Sequence, residues 1–147
     1  MGKKSHIELL NSPNLFTKYE TTAKGKGVIA SPLEYEDLMK VVPKGKLITI
    51  EELKTNLAKK HKVDYTCPQA TGFYINMVAQ ASKEMETLGS RRFTAYWRTL
   101  KKDGELNEGY PGGIKSQRKM LEKEGHTIVA KGNRYFVKNY QDNLCLL

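Results

Sequence analysis

The sequence contains little cysteine and little histidine, which removes most metal-binding and thiol-based functions from consideration. Only two of the 147 residues are cysteine and three are histidine. Cys67 and Cys145 lie far apart, with no further cysteine or histidine at ligand spacing, so the pattern indicates neither a zinc site nor a redox pair. We therefore expect no metal and no cofactor.

Long apolar runs are also missing. No run approaches the roughly 20 residues that a membrane-spanning helix requires, and the charged N-terminus lacks the apolar segment of a secretion signal. The sequence therefore predicts a soluble, cytoplasmic protein without a membrane partner. A chain of this length can bury roughly 68–70% of its unfolded surface, so one domain can fold without a disulfide.

Acidic residues are also few. The chain has 16 of them against 25 lysines and arginines, which gives a net charge of +9. Such an excess favours a polyanionic partner. Nucleic acid is favoured over a membrane surface, since the sequence shows no cationic amphipathic helix and no lipidation signal. We expect a monomer that binds nucleic acid.

Three segments can be separated by pattern. Residues 1–30 are polar, with a basic Lys-Gly repeat at 24–27, and predict an extended or short-helical basic arm, or alternatively a disordered tail. Residues 31–137 carry the periodic patterns of a folded domain. Residues 138–147 form a C-terminal tail with no strong pattern.

Helix starts with capping signals open the domain. Ser31 can cap a helix that has Pro32 at its first position and Glu34 as the capping-box partner, and Pro43 ends it. Its expected apolar face consists of Leu33, Leu38, Val41 and Val42. After a very short β stretch at Leu47 and Ile48, Thr49 caps a second helix, with Glu52 three residues later.

A third helix follows, with Thr66 as the expected cap, Gln69 as its capping-box partner and an end near Leu88. Two helices joined by a short polar turn predict a helix-turn-helix, whose second helix enters the major groove by its N-terminal residues. The groove candidates are Gln69, Thr71 and Asn76. The expected core face consists of Ala70, Phe73, Met77, Val78 and Ala81.

Residues 126–130 and 134–137 are two alternating β-prone runs around a Gly-Asn turn, which predict a hairpin. A hairpin after a helix-turn-helix is typical of a wing. The expected fold is mainly α with a small β component, a winged helix-turn-helix-like DNA-binding domain.

The stretch 91–113 concentrates arginines, aromatics and glycines, and we place the working surface there. Tyr110, Gly112 and Gly113 belong to a turn that leads into a predicted helix at 114–124, whose free backbone amides suit a phosphate. The alternative is structural: Phe93, Tyr96 and Leu100 would form a half-buried strand face, and the glycines would make turns.

The order of these elements resembles the C-terminal DNA-binding domain of the O6-alkylguanine-DNA alkyltransferases, the methylated-DNA-protein cysteine methyltransferase family, over roughly residues 33–136. The motifs that carry the resemblance are Pro43-Lys44-Gly45-Lys46, Thr49, Ala70, Gly72, Arg98, Asp103-Gly104, Leu106, Gly109-Tyr110, Gly112-Gly113, Leu121 and Glu124-Gly125.

The resemblance implies a winged helix-turn-helix that binds the minor groove, where the pattern alone indicated the major groove. It also implies that an alkylated guanine is flipped into a pocket, at a cost of a few kcal/mol that is lower for a damaged base. Tyr110 matches the tyrosine that lines this pocket in the family.

The departures from the family decide the expected chemistry. The Pro-Cys-His-Arg motif of the repair enzymes is replaced by Ala95, Tyr96, Trp97 and Arg98, so both the acceptor cysteine and its histidine are gone. A tyrosine with a pKa near 10 and no adjacent histidine is a poor alkyl acceptor. Glu124 matches the family's network glutamate without the histidine partner, and is expected to be a helix-end carboxylate.

Other matched positions also differ. Gln69 stands where the family has its arginine finger, and Ile50, where the family has a phosphate-rotating tyrosine, is expected to be core. An insertion near residues 84–91 is expected to lengthen the third helix and to place Arg91 and Arg92 beside the pocket.

The sequence thus predicts an alkyltransferase-like protein, without the acceptor cysteine, that recognises alkylated or altered bases in double-stranded DNA by flipping and transfers nothing. Other DNA repair proteins are candidate partners. The expected binding residues are Gln69, Thr71, Arg91, Arg92, Tyr96, Trp97, Arg98, Tyr110, Gly112 and Gly113. The alternatives are a repair methyltransferase that uses Cys67, whose pKa a helix N-terminus would lower, and a winged-helix module for transcription or protein contacts.

Overall fold

The chain is a mixed α/β fold, in which helix outweighs strand, and the computed structural model describes residues 5–91 and 93–147. The helices are α1 (His6–Leu10), α2 (Pro32–Lys40), α3 (Ile50–Lys60), α4 (Pro68–Thr87) and α5 (Gly113–Lys123). The strands are β1 (Lys18–Thr22), β2 (Gly25–Ile29), β3 (Ile48–Thr49), β4 (Tyr65–Thr66), β5 (Thr99–Leu100), β6 (Ile128–Lys131) and β7 (Arg134–Val137). Short 3₁₀ turns occupy Tyr96–Arg98, Lys102–Gly104 and Tyr140–Asn143.

The N-terminal segment is folded onto the domain, where the sequence predicted an arm. β1 and β2 form an antiparallel hairpin, and β2 pairs in parallel with β4, with Val28 opposite Thr66. Val28 and Ala30 are fully buried, and Leu10 of α1 is 2% exposed. The segment contains a short helix, as one form of the predicted arm would have, but its described residues are neither a free arm nor a disordered tail, because they contribute apolar side chains to the core. The domain boundaries themselves remain predictions.

The region around α3 follows the local signals. Thr49 and Glu52 form the predicted capping box, with the Thr49 amide donating to Glu52 Oε1 at 3.1 Å. β3 pairs in parallel with β5. The C-terminal tail, which has no sequence pattern, is attached beside it, since Leu47 donates to the carbonyl of Asn143 and accepts from the amide of Cys145.

Two helices depart from their predicted details. In α2, Ser31 is the cap residue but makes no side-chain capping bond, and the Glu34 amide donates to the Ser31 carbonyl instead. The predicted capping box is also absent because the Ser31 amide donates to Thr17 and the Glu34 carboxylate bonds to Thr17, Lys60 and His61. Leu33 and Val41 of the predicted apolar face are exposed. The buried residues of α2 include Tyr35 and Met39.

In α4, the cap is Cys67 rather than Thr66, whose hydroxyl donates to the Lys54 carbonyl at 2.6 Å. The helix ends at Thr87 with Leu88 as C-cap, as predicted. Met77, Val78 and Ala81 are buried, but Phe73 is 65% exposed, so its assignment to the core is wrong.

The predicted hairpin is present as β6 and β7, with Lys131 opposite Arg134 across the turn. Gly132 in the turn has φ +62° and Gly125 after α5 has φ +92°, a backbone region that favours glycine. Within residues 5–91 and 93–147, no helix is long and apolar enough to cross a membrane.

Candidate nucleic-acid interface

A hydrogen-bond network around Glu124 holds the turn Tyr96–Arg98 against the end of α5. Arg98 binds the Glu124 carboxylate with two nitrogens, Nε at 3.0 Å from Oε1 and Nη2 at 2.8 Å from Oε2. Trp97 donates its indole N–H to Oε2 at 3.0 Å, and the Gly45 amide donates to Oε1 at 3.1 Å. Arg98 also donates to the Val42 carbonyl at 2.8 Å. The network therefore joins the Lys-Gly-Lys turn, the 3₁₀ turn and α5.

Glu124 is charged and central to this network, so its expected role as an ordinary helix-end carboxylate is wrong. Its side chain is only 6% exposed. Burial alone raises the pKa of Glu124, but the bonds from Arg98, Gly45 and Trp97 outweigh burial and hold that pKa below its usual range. The sequence signal that could have revealed the role of Trp97 is its indole N–H, a donor that needs a partner when the ring is buried.

The aromatic residues predicted to line a pocket come together but pack on each other. The ring centroids of Tyr96 and Tyr110 lie 5.2 Å apart at 72°, and those of Tyr96 and Trp97 lie 5.4 Å apart at 79°. Tyr96 and Trp97 are each 7% exposed and Tyr110 is 2% exposed. Tyr110 donates its hydroxyl to the Thr99 carbonyl at 2.9 Å. In this structure the three rings are part of the core.

The chemistry of Tyr96 and Tyr110 follows from that burial. Burial disfavours the phenolate, so it raises the pKa of both hydroxyls above their usual value. For Tyr96, the nearby Lys83 charge opposes this effect without cancelling it. A buried tyrosine with a raised pKa is a weaker nucleophile than a free one.

The loop before α5 is locked against α4 by side chains that the sequence reading missed. Gln117 accepts from the Asn107 amide at 2.7 Å and donates to the Trp97 carbonyl at 3.1 Å. Asn107 donates to Asn76 Oδ1 at 2.8 Å and accepts from the Gly109 amide at 2.9 Å. A signal was available: Gln117 lies four residues before the buried Leu121, and a polar residue on an apolar helix face needs a partner.

Gly109 and Gly112 are required by this packing. A Cβ on Gly109 would lie 2.5 Å from Asn76 Nδ2, so only glycine allows the loop to approach α4 this closely. Gly112 caps α5 with φ +78°, and Gly113 has φ +69°. The loop therefore approaches the middle of α4 at Gly109 and leads from there into α5.

An outward-facing row of α4 runs past this loop, and we call it the α4 stripe. Its members share one face of the helix and include no carboxylate, with Gln69, Phe73 and Lys83 exposed and the others half-buried. They are Gln69, Gly72, Phe73, Asn76, Gln80 and Lys83. Gln80 donates to the Gly109 carbonyl at 3.4 Å, which makes the stripe and the loop one continuous surface.

Thr71, the remaining groove candidate on α4, is not on the stripe. It is 1% exposed, and its hydroxyl bonds to Tyr35 at 2.7 Å and to the Cys67 carbonyl at 2.8 Å. Both bonds are inside the core, so the expected DNA contact of Thr71 is withdrawn.

Comparisons with known proteins bear on the fold. No protein-family model and no curated protein matches the chain. A crystal structure of S. pombe ATL in complex with DNA is similar, with a TM-score of 0.52 and 17% identity, over 79% of this chain and 94% of that one. A structure of S. pombe Atl1 in complex with damaged DNA containing O6-carboxymethylguanine has a TM-score of 0.49 and 18% identity over the same shares. The chain shares the fold of S. pombe ATL.

Within this alkyltransferase-like fold, the remaining predicted residues lie as follows. Arg91 is exposed in the segment between α4 and the turn Tyr96–Arg98, whereas Arg92 lies outside the described residues. Ile50 packs against the core, as predicted. Cys67 is half-buried at the start of α4, with its Sγ 3.5 Å from Gln69 Oε1. Within residues 5–91 and 93–147, no cluster of His, Cys, Asp or Glu could hold a metal ion.

Proposed function

We propose that this chain is an alkyltransferase-like protein that binds double-stranded DNA through the α4 stripe. The observation that carries the proposal is an exposed, carboxylate-free helix face, continuous with a glycine-rich loop, in the fold of a protein whose structure was solved with DNA. The exposed amide side chain of Gln69 suits the edges of bases, and the positive N-terminal end of α5 suits a phosphate.

The hairpin β6–β7 serves as the wing in this proposal. Its turn residues 131–134 are exposed and include Lys131 and Arg134. Arg134 is bound by Glu105 through two hydrogen bonds of 2.8 and 3.0 Å, which orients it over the ring of Phe136. Because Arg134 is paired with Glu105, Lys131 is the cation of the turn that we expect to contact the DNA backbone.

The second part of the proposal is that no alkyl group is transferred. Tyr96 occupies the acceptor position, where it is 7% exposed and where burial raises the pKa of its hydroxyl. The decisive measurement is intact-mass spectrometry after incubation with an O6-methylguanine duplex. We expect an unchanged mass. A gain of one methyl group that disappears in Cys67→Ser would instead support a transferase that uses Cys67.

The third part is recognition of an altered base by nucleotide flipping. Tyr96 fills the space next to Tyr110, so a flipped base can enter only when the Tyr96 ring moves aside. Titration of an O6-methylguanine duplex and its unmodified twin tests this part, and we expect tighter binding of the modified duplex. Equal affinities for the two duplexes would refute nucleotide flipping but would leave the proposal of duplex binding unchanged.

DNA binding itself is tested by the unmodified duplex. If the wild type binds no duplex at moderate salt, the proposal as a whole fails. A winged-helix module for protein contacts would then be the remaining reading, and the partner proteins of DNA repair would no longer be expected.

A further inference from the structure

Phe73 is a large aromatic side chain that no part of the described chain covers. It is 65% exposed in the middle of the α4 stripe, one turn after Gln69 and about one turn before Asn76. A single exposed apolar residue is ordinary on a protein surface. The position is what distinguishes Phe73, because it lies on the surface that the proposed function assigns to DNA.

The Phe73 ring is supported from below by a row of aromatic rings. Its centroid lies 5.8 Å from that of Tyr74 at 70°, and Tyr74 lies 6.2 Å from Tyr35. Tyr35 is fully buried, and its hydroxyl is 2.7 Å from the Thr71 hydroxyl. The row therefore connects the exposed ring to a fixed point in the core, which restricts the ring and lowers the entropy lost when a ligand orders it.

The neighbourhood of Phe73 admits a flat, close-fitting surface. A Cβ on the preceding Gly72 would meet no atom within 4 Å, so the helix surface beside the ring is open. The flanking side chains of Gln69 and Asn76 carry amide donors and acceptors rather than carboxylates. An apolar ring between amide groups matches a base step, which presents two apolar base faces bordered by polar edges.

We propose that Phe73 is a wedge that inserts between two stacked base pairs of duplex DNA and kinks the duplex along the α4 stripe. The inference rests on the proposed DNA-binding function. Proteins that bind the minor groove use apolar side chains in this way, and the few kcal/mol lost on unstacking is offset by wider contact with the bent duplex. The exposed Gln69, one turn before the wedge, would then bond to a base edge beside it, while Asn76 keeps its bond to Asn107.

The experiment uses the full chain and an undamaged duplex with two probes. A 2-aminopurine base reports unstacking, because its fluorescence rises when it unstacks. A donor–acceptor dye pair at the two ends of the duplex reports bending. We expect the wild type to increase the fluorescence and to bend the duplex by at least about 20°. Phe73→Ala should lose both signals and bind about tenfold more weakly, the loss of one base–aromatic stack. Phe73→Leu should keep part of both, since leucine is also an apolar wedge.

The controls separate the wedge from general binding. Phe16→Ala removes a phenylalanine of similar exposure, 61%, outside the α4 stripe, and should behave like the wild type. Circular dichroism should show that Phe73→Ala is folded, because the ring is mainly exposed. The wedge is overturned if Phe73→Ala still unstacks the base. It is also overturned if Gln69→Ala abolishes unstacking and Phe73→Ala does not. In either case wild-type binding shows that the proposed function stands. Absence of any wild-type binding overturns both.

Discussion

Trp97 is a buried residue whose side chain takes part in the hydrogen-bond network around Glu124. Its indole N–H donates to Glu124, which also receives Arg98. Trp97→Phe removes this donor, so the buried Glu124 carboxylate loses one of its hydrogen bonds. We expect a loss of about 1–3 kcal/mol of unfolding free energy, measured by urea denaturation. Because Trp97 is the chain's one tryptophan, the unfolding signal must be circular dichroism rather than tryptophan fluorescence.

The matched control for Trp97→Phe is Glu86→Gln, which removes the exposed partner of Lys83. Exposed ion pairs contribute roughly 0–1 kcal/mol, so this variant should unfold close to the wild type. If the two variants lost the same stability, the buried network around Glu124 would have no special role.

Tyr110 shows how burial changes what a substitution tests. If Tyr110 lined an open base pocket, as the resemblance implies, Tyr110→Ala would erase discrimination between modified and normal DNA and leave other binding intact. Tyr110 is 2% exposed and its hydroxyl is bonded inside the core, so the same substitution creates a cavity. We expect Tyr110→Ala to lose about 3–5 kcal/mol of stability, seen in urea denaturation, with binding of all duplexes reduced alike. Tyr110→Phe, which keeps the ring, should lose about 1 kcal/mol. A stable Tyr110→Ala that loses only discrimination would return Tyr110 to the proposed pocket.

Among the elements, the β1–β2 hairpin is attached to the helices partly through the Glu34 carboxylate, besides its pairing with β4. Glu34 of α2 bonds to Thr17 before the hairpin and to Lys60 and His61 at the end of α3, at 2.8 and 2.7 Å. His61 in turn bonds to Tyr19 of β1 at 3.1 Å. Burial opposes ionisation, yet the bonds from Lys60, Thr17 and His61 lower the pKa of Glu34 to about 2. The attachment of the hairpin therefore depends on an ionised Glu34.

A carboxylate whose pKa is depressed by folding stabilises the protein above its unfolded pKa. The contribution of Glu34 should be complete above about pH 4.5 and should disappear as the pH falls toward about 2. Glu34→Gln should remove this pH dependence and about 1–2 kcal/mol of stability at neutral pH. Hydrogen exchange at the β1–β2 amides should accelerate in the same variant. Glu36→Gln, which removes the partner of the exposed Lys40 on the same helix, should change neither.

The elements also show which parts of the fold a sequence can predict. The capping box of α3 and the β6–β7 hairpin are encoded by residues within a few positions of each other, and both were predicted correctly. The β1–β2 hairpin was missed because β2 completes its pairing with β4, about 38 residues later, and no local pattern records that partner. Phe73 was assigned to the core by its spacing, but spacing does not say whether another element covers a face.

The sequence indicated which residues lie near one another at the candidate site, but not how their side chains pack. Tyr96, Trp97, Arg98 and Tyr110 are neighbours in the structure, and their role in binding DNA stays a prediction. Motif order could not show that the rings would pack on one another. Side-chain packing depends on the shapes of all neighbours at once, including Asn107 and Gln117, which no motif singled out. The distinction matters for the proposed nucleotide flipping, because a site filled by the Tyr96 ring requires a rearrangement before a base can enter.

For the whole molecule, the net charge of +9 predicts DNA binding that is mainly electrostatic. The structure restricts which cations can contribute, since Lys54 is paired with Glu51 and Lys60 with Glu34. Lys115 is exposed in the first turn of α5, next to the glycine-rich turn that approaches the α4 stripe. It is therefore the lysine we expect to contact a phosphate directly.

The corresponding prediction concerns the salt dependence of duplex affinity. Each neutralised phosphate releases counterions, so log K should fall steeply with log salt, by about 0.9 for each contact. Lys115→Gln should reduce the magnitude of this slope by about 0.9 and weaken all sequences alike, because a phosphate contact carries no base information. Lys40→Gln, which removes a lysine paired with Glu36 on α2, should leave the slope unchanged. A flat wild-type slope would mean that charge does not drive binding, and equal slopes for Lys115→Gln and the wild type would move the phosphate contacts away from α5.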